Sequence, residues 1–159
     1  MLVDFTNANK RLKKWRNERH IDMLKQRESL LPNILEEITE YLRATNNHDK
    51  INALCDMSIF ILNAYEIEKV FIKSFDDFPF NCINFIYMGR LKSIVSLEFL
   101  LGFIASEFKV IKYDYLPCLY ETIKEIESRI GHWDNNINKW VKETQYEKIY
   151  TPNYEDYKI

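Results

Sequence analysis

The sequence predicts an all-α fold in a single domain spanning residues 1–159, and three observations carry that expectation. Glycine and proline are scarce, three and four in 159 residues, whereas a β-sandwich or barrel draws on many turns built from them. Apolar residues recur at helical spacing, as at Ile34, Leu35, Ile38 and Leu42, where a stripe at a period of 3.6 marks a helix face. Two long segments, Ile51–Ile67 and Leu91–Phe108, are apolar in nearly every direction, as suits helices buried on most sides.

Taken in order, the chain opens with a polar and basic helix from about Phe5 to Glu18, with Leu12 and Trp15 on one face. Pro32 starts a second helix, Asn33 to Ala44, from the favoured first-turn position. Asn46 and Asn47 form a break, and a third helix runs from about Asp49 to Ile72. A loop follows around Asp76–Pro79, then a helix over Phe80–Ile86 and the apolar segment Leu91–Phe108. Pro117 opens another helix, to about Arg129, which Gly131 ends. A last short helix holds Asn136 to Glu143, and the tail reads YTPNYEDYKI. No internal repeat or linker interrupts the chain.

Composition narrows the function classes. A net charge of −2 gives no general attraction to nucleic acid or to an anionic membrane surface. The basic run Lys10–Arg16 reads as a solvated helix face, since the rest of the chain is not basic. Cys55, Cys82 and Cys118 are odd in number and widely spaced, neither a disulfide framework nor a zinc pattern, which suits a reducing cytoplasm. The N-terminal residues lack the basic-then-apolar order of a signal peptide. The apolar stretch Ile94–Phe108 is too short to span a bilayer and carries Glu98, so no membrane partner is expected.

The chemistry lies in two neighbouring helices. Glu36, Glu37 and Glu40 share one arc of the second helix at about 100° per residue, with Glu37 at the edge of the apolar stripe. Alone, such a run is ordinarily a solvated face. The third helix changes the reading. In its apolar surface Asn52, Asp56 and Asn63 fall into one stripe about 40° wide. A buried aspartate must be paired or bind a cation. A short break makes the two helices antiparallel neighbours. Glu37 and Glu40 then face Asp56 and Asn52, and clustered carboxylates call for a hard cation such as magnesium, which suits phosphate-ester chemistry.

These residues carry a resemblance. EEITEYLRA followed by INALCDMSIFILNA resembles the paired motif of the MazG-like, all-α nucleoside triphosphate pyrophosphohydrolases, in which an E-E-x-x-E helix and a second acidic helix bind magnesium. The I-D-A-x-x-D form of a phage and bacterial branch corresponds to Ile51-Asn52-Ala53-Leu54-Cys55-Asp56 here. The similarity covers residues 30–65 best. KEIESRIGHWDNNINKWVK and NYEDYKI resemble that branch's S-R-x-G and K-W elements and its tyrosine-containing tail.

The resemblance implies a helical bundle of the all-α NTP pyrophosphatase type, cytoplasmic, Mg²⁺-dependent, and a homodimer or higher homo-oligomer. It implies cleavage of a nucleoside triphosphate to the monophosphate and pyrophosphate. Glu37, Glu40 and Asp56 become metal ligands and catalytic residues, with Glu36 as a helper. The family's fourth acidic position falls on Asn52, or on Ala53 in the E-x-x-D alignment, and the uncharged Asn52 becomes a weak fourth ligand. Asn63, Arg129 and Lys139 become substrate-binding residues, the two cations on triphosphate oxygens. The tryptophans Trp15, Trp133 and Trp140 are candidates for stacking on a base or for the core. The Asn52 departure keeps a second expectation open, a catalytically impaired module of the same fold that binds a nucleotide or a protein.

Overall fold

Among the described residues five long helices form where the apolar periodicity places them, although their ends are set by caps that the periodicity does not show. The computed structural model describes residues 2–72, 83–84, 93–143 and 150–159. In chain order these hold β1 (Leu2–Asp4), α1 (Thr6–Glu18), α2 (Met23–Arg43), α3 (Asn47–Tyr65), β2 (Lys69–Phe71), α4 (Ile94–Ile111), α5 (Tyr115–Ser128), β3 (Gly131–Asp134) and β4 (Lys139–Lys142). The predicted loop around 76–79 and helix over 80–86 lie outside the described residues, apart from helical Ile83 and Asn84. Among the described residues no helix is long and apolar enough to cross a membrane.

Helix α2 departs furthest from expectation. It starts ten residues before Asn33, at Met23, because the Asp22 side chain accepts the Lys25 amide at 2.8 Å and so caps the first turn. Pro32 therefore lies inside the helix and is exposed. It can offer no N–H to the carbonyl of Glu28, one turn earlier. Replacing it is expected to stabilise the fold: Pro32→Ala should raise the free energy of unfolding by about 1–3 kcal/mol. Chemical denaturation would check this, and a lower midpoint would show that the proline fits its site without cost.

The longer helix also turns differently. Ile34, Ile38 and Tyr41 are buried against α3, but Leu35 and Leu42, expected in the core stripe, are exposed, together with Leu24 and Leu31. Helices α2 and α3 pack more extensively than any other pair. Their contacts run antiparallel: the Arg27 guanidinium donates to the Ala64 carbonyl at 2.9 Å, and Lys50 lies over the Tyr41 ring. Helix α3 stops at Glu66, whose φ of 37° is left-handed, and not at Ile72. The chain then extends into β2, which pairs antiparallel with β1. The core draws on all five helices, with Ile34, Leu54, Leu62, Leu100, Phe108 and Leu119 enclosed.

The predicted helix Asn136–Glu143 is instead part of a hairpin. Strands β3 and β4 pair antiparallel, with Trp133 opposite Trp140. The connecting residues are turn formers: Asp134 accepts the Asn136 amide at 2.8 Å, and Asn138 has a φ of 51°. Gly131 serves this hairpin and not a left-handed helix end. A Cβ there would lie 2.2 Å from the Val141 carbonyl oxygen and 2.6 Å from the Trp140 ring.

Candidate functional site

One face of α2 carries Gln26, Asn33, Glu37 and Glu40, which fall within an arc of about 60°. Opposite them α3 presents Asn52, Asp56, Phe60 and Asn63. The C-terminal end of α5 adds Arg129, and the hairpin closes over the cleft with Trp133, Lys139 and Trp140. Together these side chains line a cavity of about 490 Å³. Every residue expected at the site lines it except Glu36, which is exposed and accepts an ion pair from Lys139. The hairpin is held down by Trp140 against Trp15, edge to face at 5.5 Å. Lys25 lies 5.6 Å over Trp133. Trp15 is fixed in turn by its indole N–H donating to the Ile126 carbonyl.

The acidic end has an electrostatic problem that its own side chains do not solve. Glu37 is buried, and its Oε2 has no hydrogen-bond partner. Burial first, then the charges of Asp56 and Glu40, push its carboxyl up to about 9, against a smaller downward pull from Lys139. Arg129 counters part of this charge. Burial pulls its guanidinium down, but the bond to Glu125 and the charges of Asp56, Glu125 and Glu37 outweigh that and hold it above the ordinary arginine value. Its ion pair with Glu125 measures 2.5 Å.

Asn52 and Asn63 are both engaged. The Asn52 amide donates to Asp56 Oδ2 at 3.2 Å, and its carbonyl oxygen accepts the Tyr154 hydroxyl at 3.3 Å. Tyr154, in the C-terminal tail, is itself buried beside the Thr122 hydroxyl at 2.8 Å. Two links of this chain have a direction, Tyr154 to Asn52 and Asn52 to Asp56; the Thr122 hydroxyl beside Tyr154 also lies within donating distance of the Cys118 carbonyl, at 3.2 Å. The Asn63 carbonyl accepts from Arg16 at 2.9 Å, and Arg16 also pairs with Glu66 at 2.5 Å. Two members of the basic run are thus used internally, Arg16 here and Arg11 in an ion pair with Glu127.

Magnesium fits this donor set in part. Among the described residues no three His, Cys, Asp or Glu side chains are gathered as a metal cluster. Glu37 and Asp56 nonetheless face each other with one buried oxygen unmet. Magnesium is commonly held by one or two carboxylates, with waters and substrate phosphates completing its shell.

Gln26, Asn33 and Phe60 were not among the expected site residues. With the helix read as starting at Asn33, Gln26 fell outside it and the shared face of 26, 33, 37 and 40 was hidden. Comparison with protein-family models finds no match, and neither does comparison with curated proteins or with solved structures.

Proposed function

We propose that the protein is a nucleoside triphosphate pyrophosphohydrolase, with the fold of the all-α NTP pyrophosphatases and a requirement for Mg²⁺. The observation that carries this is the single cavity in which Glu37, Glu40, Asp56, Arg129 and Lys139 meet an aromatic wall. Carboxylates for a hard cation, cations for phosphate oxygens and rings for a base are the three surfaces a nucleotide needs.

Glu37 and Asp56 are the residues suited to hold magnesium, with Asn52 acting on Asp56 through its amide and not as a charged ligand. When bound, the ion supplies charge neutralisation at phosphate and an activated water. Arg129 and Lys139 take the phosphate oxygens, with Lys139 exchanging its pairing to Glu36 for the substrate. Glu40 is exposed at the cavity mouth, where its carboxylate can accept the proton of a water attacking the α-phosphorus. The bond from the α-phosphorus to the bridging oxygen breaks, and pyrophosphate leaves. The rate comes from positioning and charge, with no covalent intermediate.

The outward leucines of α2 support a homo-oligomer. Leu24, Leu31, Leu35 and Leu42 lie on one line, on the side of the helix away from the cavity. Their spacings of seven, four and seven read the same in both directions, so an antiparallel second copy sets leucine against leucine.

The test is pyrophosphate release from a panel of ribo- and deoxyribonucleoside triphosphates, with and without Mg²⁺. Metal-dependent release from at least one triphosphate is the expected result. A folded protein that releases none favours the second reading, a binding module of the same fold. The absence of a ready three-residue metal cluster among the described residues is the observation on that side.

A further inference from the structure

The cavity has a second end that the phosphate chemistry does not use. Gln26 and Asn33 are 5% and 4% exposed, both line the cavity, and neither side-chain amide hydrogen-bonds to any group among the described residues. Neither amide is among the fully enclosed polar atoms that lack a partner, so the little surface that the two residues keep opens on the cavity, where water or a ligand can bond it. Two on one helix face, lining one cavity and committed to no partner among the described residues, offer donors and acceptors to a ligand.

The surroundings define the ligand's chemistry. Phe60, Trp15, Trp133 and Trp140 supply flat apolar walls. The acidic residues lie one turn and more along α2 towards its C-terminus, beginning with Glu37. Gln26 stands about 16 Å along the helix axis from Glu37, with Asn33 between them. The stripe thus passes from neutral amides to carboxylates over a distance that a nucleotide spans once the hydrogen bond at its base and a cation at its phosphate are added.

We propose that Gln26 and Asn33 form a nucleoside-reading subsite. The Gln26 amide donates to and accepts from the hydrogen-bonding edge of the base. Asn33, nearer the carboxylates, bonds the sugar. The aromatic residues enclose the base, and base selectivity resides in Gln26. The placement rests on the acidic end being the phosphate end, but the subsite itself requires neither metal nor turnover.

The experiment is built on that separation. The protein has three tryptophans, and all three line the cavity, so their indole N–H signals in a ¹H–¹⁵N spectrum report on it alone. Free uridine, thymidine, cytidine, adenosine and guanosine are titrated into the full chain in EDTA. The expected result is saturable shifts of these signals, with the best base favoured over the worst by about tenfold, one hydrogen bond's worth. Gln26→Met keeps length and helix preference; it should bring the five affinities to within about threefold of each other and leave Tm unchanged or higher. Asn33→Leu should weaken all five nucleosides and leave their order intact, so either variant suffices if the other fails to fold. No saturable shift with any nucleoside, or unchanged selectivity in Gln26→Met, overturns the subsite. Selective binding without pyrophosphate release in the triphosphate panel upholds the subsite and removes the hydrolase reading. Release without nucleoside selectivity does the reverse.

Discussion

Asp56→Ala is expected to lower metal-dependent pyrophosphate release by at least about a thousandfold while the protein remains folded. Asp56 sits where three features converge: the Asn52 amide orients it, its charge helps push the Glu37 carboxyl up, and it lines the cavity opposite Glu37. Removing it leaves Glu37 without its facing carboxylate, so a cation loses half of its buried anionic contact. The side chain is only half-buried, and its loss opens no sizeable hole in the core, so the Tm should move by a few degrees at most. Asn52→Ala should cost less, about tenfold, because it frees the carboxylate to rotate without removing it. Full activity in a folded Asp56→Ala variant would place the chemistry elsewhere. A thousandfold loss with an unfolded spectrum would make the residue structural.

A second large effect is expected at Glu37, as a dependence of stability on pH. Its carboxyl is held up to about 9 in the fold, against an ordinary 4.5. Between those values the folded protein binds more protons at this site than the unfolded chain does. Stability must therefore fall as pH rises: the favourable contribution is full below about pH 4.5 and lost as pH climbs to 9. Without metal, unfolding free energy should drop by roughly 4 kcal/mol between pH 5 and pH 8, on the order of 10 °C in Tm for a chain of this size. Glu37→Gln keeps the shape and has no proton to lose, so its curve should be nearly flat across that window. Magnesium should restore the wild-type Tm at pH 8 by binding the ionised form, and should do little for the variant. Thermal unfolding at several pH values, with EDTA or Mg²⁺, measures all of this. Equal slopes in the two proteins would assign the pH dependence to another group.

Much of this site was legible before the fold because helical geometry is regular. Glu37, Glu40, Asn52, Asp56 and Asn63 fall on faces that the 3.6-residue period alone aligns, and antiparallel packing follows from a short connection. What was not legible depended on local competition. Pro32 looks like a helix start, yet an Asp22 cap ten residues earlier outweighs it. The misplaced start turned Leu35 and Leu42 inward on paper and left Gln26 off the helix. The segment 131–142 carries apolar residues at spacings that fit either period, and the Asp134–Asn138 turn decides for a hairpin. Likewise β2 takes the end of the expected third helix because its partner, β1, is some 65 residues distant in sequence. No periodicity within either segment reports that pairing.

The C-terminal tail gives the acidic pocket an order of assembly. Tyr154 reaches Asn52 across 102 residues of chain, and through it Asp56. On a ribosome, α2 and α3 emerge and can pair long before residue 154 is made. Until then Asn52 has no hydroxyl to fix its amide, and Asp56 has a partner free to turn away. Tyr154 is also enclosed in the core, so a chain that lacks it loses packing as well as the hydroxyl that orders Asn52. The order of this pocket thus depends on a residue far along the chain from the helices that build it.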